Sequence, residues 1–341
     1  GAGAGDRKVV LVAEKETQGA VYDLEVLGGK LVAGINSKVM MFEWAVKDES
    51  ARGLHPLCGH HGHILALHLK VRGEFMVVGD LMRSVSLLQF KPGTSTIEEL
   101  ARDHNANWMT AIEMFDDDTY IGAEHTNNLF TVRKNADAVN DEERARLETQ
   151  GEYHLGEFVN RLRHGSLVMQ PATVSEAPGS AGGSGGASAS SASASASSSS
   201  SSALSASPVA AASSTASGAS SASASGSKSV PASGLIYATV GGSLGVITPI
   251  SEKKYQFLLG LSRAISKIVP GVGGLSHGAW RAFETERKVT DARNFIDGDH
   301  VETFLDLTQA DADKVVAIMA QDGWTRAALG PLNEGAGEGE G

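Results

Sequence analysis

AVYDLEVLGGKLVAGINSKVMMFEW (Ala20–Trp44), ILALHLKVRGEFMVVGDLMRSVSLLQF (Ile64–Phe90) and WMTAIEMFDDDTYIGAEHTNNLFTVRK (Trp108–Lys134) are three copies of one unit. Each runs apolar strand, polar turn, apolar strand, small-residue corner and third apolar strand. Within Ile64–Leu69 the side chains alternate with the period of a strand, Ile64, Ala66 and His68 on one face and Leu65, Leu67 and Leu69 on the other. Both faces are largely apolar, as a sheet sandwiched between neighbours requires. Gly28-Gly29, Arg72-Gly73 and Asp116-Asp117-Asp118 supply the turns. Gly34, Gly79 and Gly122, expected at the corners, recur at a period of roughly 44, inside the ~40 to 50 window of propeller blades. The pattern predicts a mainly β chain built as a partial, about four-blade β-propeller, a fold that chiefly holds other proteins rather than doing chemistry on its blades.

Outward from the repeats, KVVLVAE (Lys8–Glu14) reads as a β-branched strand completing an earlier blade. A fourth blade is expected to start at Tyr153 and Leu155, to run through GSLVMQ (Gly165–Gln170) and to resume with GLIYATVGGSLGVIT (Gly234–Thr248). Between these pieces, residues 173–233 are almost entirely Ser, Ala and Gly, which lack the apolar groups that would offset the entropy of ordering. This stretch is expected to be a disordered insertion in a blade loop, and ~60 extra residues are tolerable there because loop closure costs only the logarithm of length. The propeller is assigned to 7–249, a flexible leader to 1–6 and a disordered tail to 322–341; the missing strands are expected from the rest of a longer chain.

After Pro249 the apolar period changes from two to 3.6. Tyr255, Leu258, Leu261, Ile265, Ile268 and Val269 form a stripe, with Ser251 as N-cap and Pro270-Gly271 as the stop. Further helices are expected over 276–287, 299–307 and 308–320, the last opened by a capping box of Thr308 and Asp311. Together they predict a small C-terminal α-helical domain over 250–321.

Composition narrows the function classes. Among 341 residues, 40 are acidic and 29 basic, a net charge of -11 that opposes direct binding to a phosphate backbone. Arg161, Arg163 and His164 form only a short basic stretch. The single cysteine, Cys58, cannot form an internal disulfide, and no secretory signal pattern precedes the first strand; both favour nucleus and cytoplasm. No apolar run approaches the ~18 to 20 residues of a membrane span, so no membrane association is expected.

Motifs suggestive of chemistry have plainer readings. CGHHGH (Cys58–His63) offers a thiol and three imidazoles, yet no second ligand pair is nearby, so a solvated loop without metal is expected. GGSLG (Gly241–Gly245) fits the G-x-S-x-G pattern, which would make Ser243 a hydrolase nucleophile, but VITPI follows where a helix should. Asp116, Asp117 and Asp118 fall in a hairpin turn without a calcium-loop pattern, and Asp299 reads as a helix cap. GVGGLSHG follows a helix rather than a strand, which removes a dinucleotide site. No catalytic residue, metal or cofactor is expected.

Seven motifs carry a family resemblance. VGDLMRSVSLL (Val78–Leu88), ARDHNANWM (Ala101–Met109), IGAEHTNNLF (Ile121–Phe130), HLGEFVN (His154–Asn160), HGSLVMQ (His164–Gln170), WRAFETERK (Trp280–Lys288) and FIDGDHVETFLDL (Phe295–Leu307) occur in one order. They closely resemble the damage-specific DNA-binding protein 1 family, the large adaptor subunits of cullin-RING ubiquitin ligases. The related large subunit of the cleavage and polyadenylation specificity factor shares a GDLMRS-like segment, and an RNA-processing scaffold is the alternative. The resemblance implies three interlocked propellers and a helical domain, of which this chain supplies most of the third propeller and the helices. It also implies a cavity gripping helical segments of substrate-receptor proteins, cullin contact through absent domains, and DNA reached only through a partner subunit. The matching receptor-binding positions are Leu65, Leu67, Leu81, Met82, Arg83, Trp108, Phe158 and Asn160: apolar and aromatic anchors with two polar partners for an entering helix.

Overall fold

The structure, a computed structural model of the chain, describes residues 9–46, 52–167 and 234–324. The expected leader, the Ser/Ala/Gly insertion and the tail beyond 324 lie outside these residues. The fold is mainly β, with four successive antiparallel sheets in a four-blade β-propeller arrangement. Blade 1 comprises β1 (Val21–Leu27), β2 (Lys30–Ile35), β3 (Lys38–Val46) and β4 (Arg52–His61). Blade 2 holds β5 (Ala66–Arg72), β6 (Phe75–Asp80), β7 (Val85–Lys91) and β8 (Thr96–Arg102). Blade 3 holds β9 (Met109–Met114), β10 (Thr119–Glu124), β11 (Asn128–Lys134) and β12 (Leu147–His154), with the one-turn helix α1 (Asp141–Arg144) before β12. Blade 4 shows β13 (Val159–His164), β14 (Leu235–Thr239) and β15 (Leu244–Ile247).

The first strands β1, β5, β9 and β13 lie side by side, one per blade, and form the innermost layer. Each blade interface is an apolar seam because both faces of the strands carry apolar side chains. Met41 and Val32 of blade 1 meet Leu69, Met76 and Leu88 of blade 2. Val77 and Leu87 meet Ile112, Tyr120 and Phe130 of blade 3, whose Ile121 and Leu129 in turn meet Leu162 and Leu235 of blade 4. Each fully buried side chain of this size contributes about 1.5–3 kcal/mol from removal of apolar surface from water. Gly28 and Gly29 join β1 to β2 with both φ positive, 56° and 76°, the geometry of a type I′ hairpin turn that only glycine or a short polar residue enters cheaply.

Several expectations are corrected. Val9–Glu14 forms no strand, and Val9 to Val12 are exposed, because no described strand edge lies beside them to take their hydrogen bonds. Tyr153 belongs to β12, so blade 4 begins at Val159. Gly34, Gly79 and Gly122 lie inside β2, β6 and β10; Gly34 and Gly79 occupy one position, facing Asp23 and His68, whereas its equivalent in blade 3 is Ala123, facing Ala111. Cys58, His60 and His61 lie in β4, not in a loop, and burial raises the Cys58 thiol.

The helices are α2 (Glu252–Ser266), α3 (His277–Trp280), α4 (Gly298–Glu302) and α5 (Gln309–Gln321). Residues 276–287 do not make one helix: α3 stops after a turn and the chain forms a hairpin of β16 (Phe283–Thr285) and β17 (Lys288–Thr290). Here alternation of Phe283 with Glu284, and of Val289 with its neighbours, prevails over helical period. Helix α2 ends at Ser266, short of Pro270, and Ser251 sits at its N-cap without a side-chain hydrogen bond. Asp297, not Asp299, caps α4, accepting from the His300 N–H at 3.2 Å. Thr308 caps α5 as its spacing to Asp311 predicts. Helices α2 and α5 share a core of Ala264, Ile265, Val315 and Met319. The segment between them fastens to β12: Glu152, buried, accepts from Thr290 Oγ1 at 3.0 Å and Arg293 Nε at 3.1 Å and also pairs with Lys288, while Phe295 stacks on Tyr153.

Candidate partner-binding face

One hydrogen bond is repeated at the same end of every blade. The residue before the innermost strand offers its carbonyl, and the residue after the second strand donates to it. The pairs are Asn36 N to Ala20 O (3.1 Å), Leu81 N to Leu65 O (3.0 Å), His125 N to Trp108 O (3.0 Å) and Val240 N to Phe158 O (2.9 Å). Leu65, Trp108 and Phe158, all large apolar residues, therefore occupy one structural position in three successive blades. Leu81 to Arg83 form the adjoining corner of blade 2.

A second repeat lies two residues on. In each innermost strand the register slips by one residue, between Val21 and Asp23, Ala66 and His68, Met109 and Ala111, and Val159 and Arg161. The extra residues are Tyr22, Leu67, Thr110 and Asn160. A bulge leaves its extra residue outside the strict in–out alternation and re-aims its side chain, a device common at barrel rims and functional sites. Two expected site residues, Leu67 and Asn160, are these bulge residues. Tyr22, 43 % exposed, and Thr110, whose hydroxyl donates to Val159 O at 2.6 Å, are their counterparts and carry no sign in the apolar alternation.

Buried acids hold the corners in place. Asp80, 4 % exposed, ends β6; its Oδ2 accepts the N–H groups of Ile64 (2.8 Å) and Leu65 (3.1 Å) and its Oδ1 those of Met82 (3.0 Å) and Arg83 (3.1 Å). One carboxylate thus fixes both segments that carry Leu65 and Leu81–Arg83. Glu124 occupies the same place in blade 3, accepting from Asn128 Nδ2 at 2.5 Å and from Thr126 Oγ1, with His125 Nδ1 3.3 Å from its other oxygen. Trp108 stacks on that His125, ring centroids 4.9 Å apart. The ARDHNANWM stretch is held by buried Asp103, which accepts from Ser84 Oγ at 2.6 Å and from Asn105 N at 3.0 Å. An acid after the small residue, Gly79-Asp80 and Ala123-Glu124, is the sequence signal that identifies these anchors.

Phe158 is positioned from the other side. Arg281 Nη1 donates to Leu155 O at 2.9 Å, Gly156 takes φ +87° beneath Trp280, and Glu157 accepts from Thr239 Oγ1 (2.7 Å) and Ser243 Oγ (3.1 Å), which lower its carboxyl pKa. Ser243 is thus bonded to an acid in a hairpin loop between two strands, not on an elbow leading into a helix. Burial alone would raise Asp297; the hydrogen bond from His277 and the charge and hydrogen bond of Arg281 outweigh it and hold this carboxyl well below the ordinary range.

The expected residues therefore gather at one end of blades 2 to 4. Trp108 (41 %) and Phe158 (39 %) are exposed aromatics, Leu65, Leu67, Leu81 and Met82 are half-buried, and Arg83 and Asn160 are exposed. Large apolar groups held open to solvent by a rigid hydrogen-bonded frame suit capture of a protein segment. Among the described residues no group of three or more His, Cys, Asp and Glu side chains is placed to hold a metal ion.

Comparisons with known proteins accord with this architecture. The chain is 45% identical over 310 residues to DNA damage-binding protein 1 of Oryza sativa subsp. japonica, covering 91% of this chain and 24% of that protein. Identity is 45% over 304 residues to DNA damage-binding protein 1a of Arabidopsis thaliana (89% and 23%) and 42% over 308 residues to DNA damage-binding protein 1b of the same plant (90% and 23%). The chain spans about a quarter of the length of these relatives. With residues 2–306 matching the CPSF A subunit region, nine-tenths of its length, the chain belongs to the CPSF A subunit region family.

Proposed function

We propose that the chain is a non-catalytic scaffold whose blade end grips a helical segment of the substrate receptors of a cullin-RING ubiquitin ligase, serving UV-damage repair and protein ubiquitination in nucleus and cytoplasm. The observation that carries this reading is the shared position of Leu65, Trp108 and Phe158 beside the Asp80-anchored corner. Apolar anchors in that row match one stripe of a helix, and Arg83 and Asn160 supply polar ends. In this reading the cullin is contacted through parts of the relatives outside the matched quarter, and DNA through a partner subunit.

The test is receptor capture by Leu81→Glu and Trp108→Glu variants introduced into the whole adaptor. Capture is expected to fall at least ~10-fold, as for loss of a central anchor, with cullin binding intact. Unchanged capture by both variants counts against the assignment. The CPSF family match also favours a second reading, an RNA-processing scaffold; affinity purification returning polyadenylation factors instead of cullin and receptors would select it.

A further inference from the structure

The innermost strands carry a charged ladder that is complete at one end and unfinished at the other. Three residues after the repeated carbonyl stand Asp23, His68, Ala111 and Arg161 in successive blades; five residues after it stand Glu25, Lys70, Glu113 and Arg163. Lys70 Nζ lies 3.1 Å from Glu25 Oε1 and 3.7 Å from Glu113 Oε2. Asp23 Oδ2 accepts from Leu69 N at 2.8 Å, and Glu113 Oε1 from Met114 N at 3.2 Å. Arg161 and Arg163 are both exposed, alternate along β13 with buried Leu162, and their guanidinium groups make no hydrogen bond or ion pair among the described residues.

Ala111 is the small member of its row, and beside it lies a shallow open hollow edged by Asp23, His68, Lys70, Asn160, Arg161 and Arg163. It has room for little more than one water-sized group, so it takes at most the carboxylate end of a side chain whose remainder lies outside. Lys70 is already paired with Glu25 and Glu113, which leaves Arg161 and Arg163 as the cations facing it, against an Asp23 carboxylate engaged by the Leu69 amide. Two guanidinium forks without partners match carboxylate oxygens in geometry and charge. Asn160, at its edge, is also a bulge residue of the partner-binding face, so the hollow continues that face inward.

We infer that this hollow binds the carboxylate of an acidic peptide segment, delivered by the partner seated on the adjoining face. The inference rests on the proposed function for its partner, and on Arg161, Arg163 and the Ala111 gap for its chemistry. His68 reports occupancy: burial holds its imidazole below the ordinary value, with the charges of Arg161 and Lys70 adding to that and Asp23 opposing it. An anion seated between them raises the His68 pKa.

The test is an NMR titration of His68 in the full chain at constant ionic strength, alone, with acetyl-Ala-Glu-Glu-Ala-amide, and with inorganic phosphate. The peptide is expected to raise the His68 midpoint by roughly half a unit or more, and Arg161→Ser/Arg163→Ser to abolish the shift. The single variant Arg161→Gln, at an exposed position, is expected to reduce it by at least half should the double variant misfold. Leu81→Glu is expected to retain it, which separates the hollow from the face: a shift that persists while receptor capture fails leaves the two properties distinct. No shift in wild type with either probe, or one unaffected by both arginine variants, overturns the site. A response to phosphate alone overturns the peptide carboxylate as its occupant.

Discussion

The corners of blades 1 and 2 share a backbone and differ in chemistry. Both close with the same hydrogen bond, Asn36 N to Ala20 O in one and Leu81 N to Leu65 O in the other. In blade 1 the second strand ends in Ile35, packed with Ala33 and Phe42, and a two-residue link leads on to β3. In blade 2 it ends in Asp80, whose carboxylate accepts four N–H groups and holds a four-residue link in which Leu81 and Met82 are half-buried and Arg83 is exposed. The blade scaffold accommodates either end, and in blade 2 the buried acid fixes the longer link.

Asp80→Ala tests that distinction most severely. Four amides lose a charged acceptor at a buried site, and about 3–5 kcal/mol is expected to be lost, against about 1 kcal/mol for Ile35→Val. Urea melts of the two variants measure the gap; equal losses would erase the difference between the corners.

The paired glycines sharpen the comparison at smaller scale. A Cβ on Gly34 would sit 2.6 Å from the Ala66 carbonyl oxygen, a backbone atom of the next blade, whereas one on Gly79 would first meet His68 Cβ at 3.3 Å. Gly34→Ala is expected to cost about 2 kcal/mol through forced separation of blades, and Gly79→Ala under about 1 kcal/mol. Thermal melts of the pair rank them.

The smallest effect is pH dependence in the helical segment, which lacks the acid-anchored corners of the blades. His300 stacks on His277 at 3.7 Å, and burial with that neighbour's charge lowers its pKa. The unfolded chain then binds the proton more readily, so this contribution to stability is present above about pH 6.5 and lost as pH falls through the folded value. Asp297, also depressed, adds a loss below about pH 4. The melting temperature is expected to drop between pH 7.5 and 5.5, and His300→Gln to flatten that slope; an unchanged slope assigns it elsewhere.

The repeat in Ala20–Lys134 revealed strands and blades because two-residue alternation and turn residues are local signals. The boundary at Tyr153 is less legible: apolar strands of neighbouring blades follow one another without a polar break, and Tyr153 closes blade 3 rather than opening blade 4. The bulges at Tyr22, Leu67, Thr110 and Asn160 escaped because both sides of these strands are apolar enough for one extra residue to leave no mark. The hairpin at Phe283–Thr290 overlaps the expected helix 276–287 and leaves no signal because three-residue strands hold too few residues to display a period. The candidate face is legible as individual positions through the family motifs, but the bonds that join its segments, Asp80 to Ile64 and Leu65 and Asp103 to Ser84, link residues 15 to 19 apart and leave no mark in local spacing.

The bulge at each innermost strand creates a position outside the strict in–out alternation of the blades. The chain writes tyrosine, leucine, threonine and asparagine at this one address. The letter changes while the repeated carbonyl hydrogen bond and the one-residue slip stay the same, so a single backbone grammar presents four different surfaces.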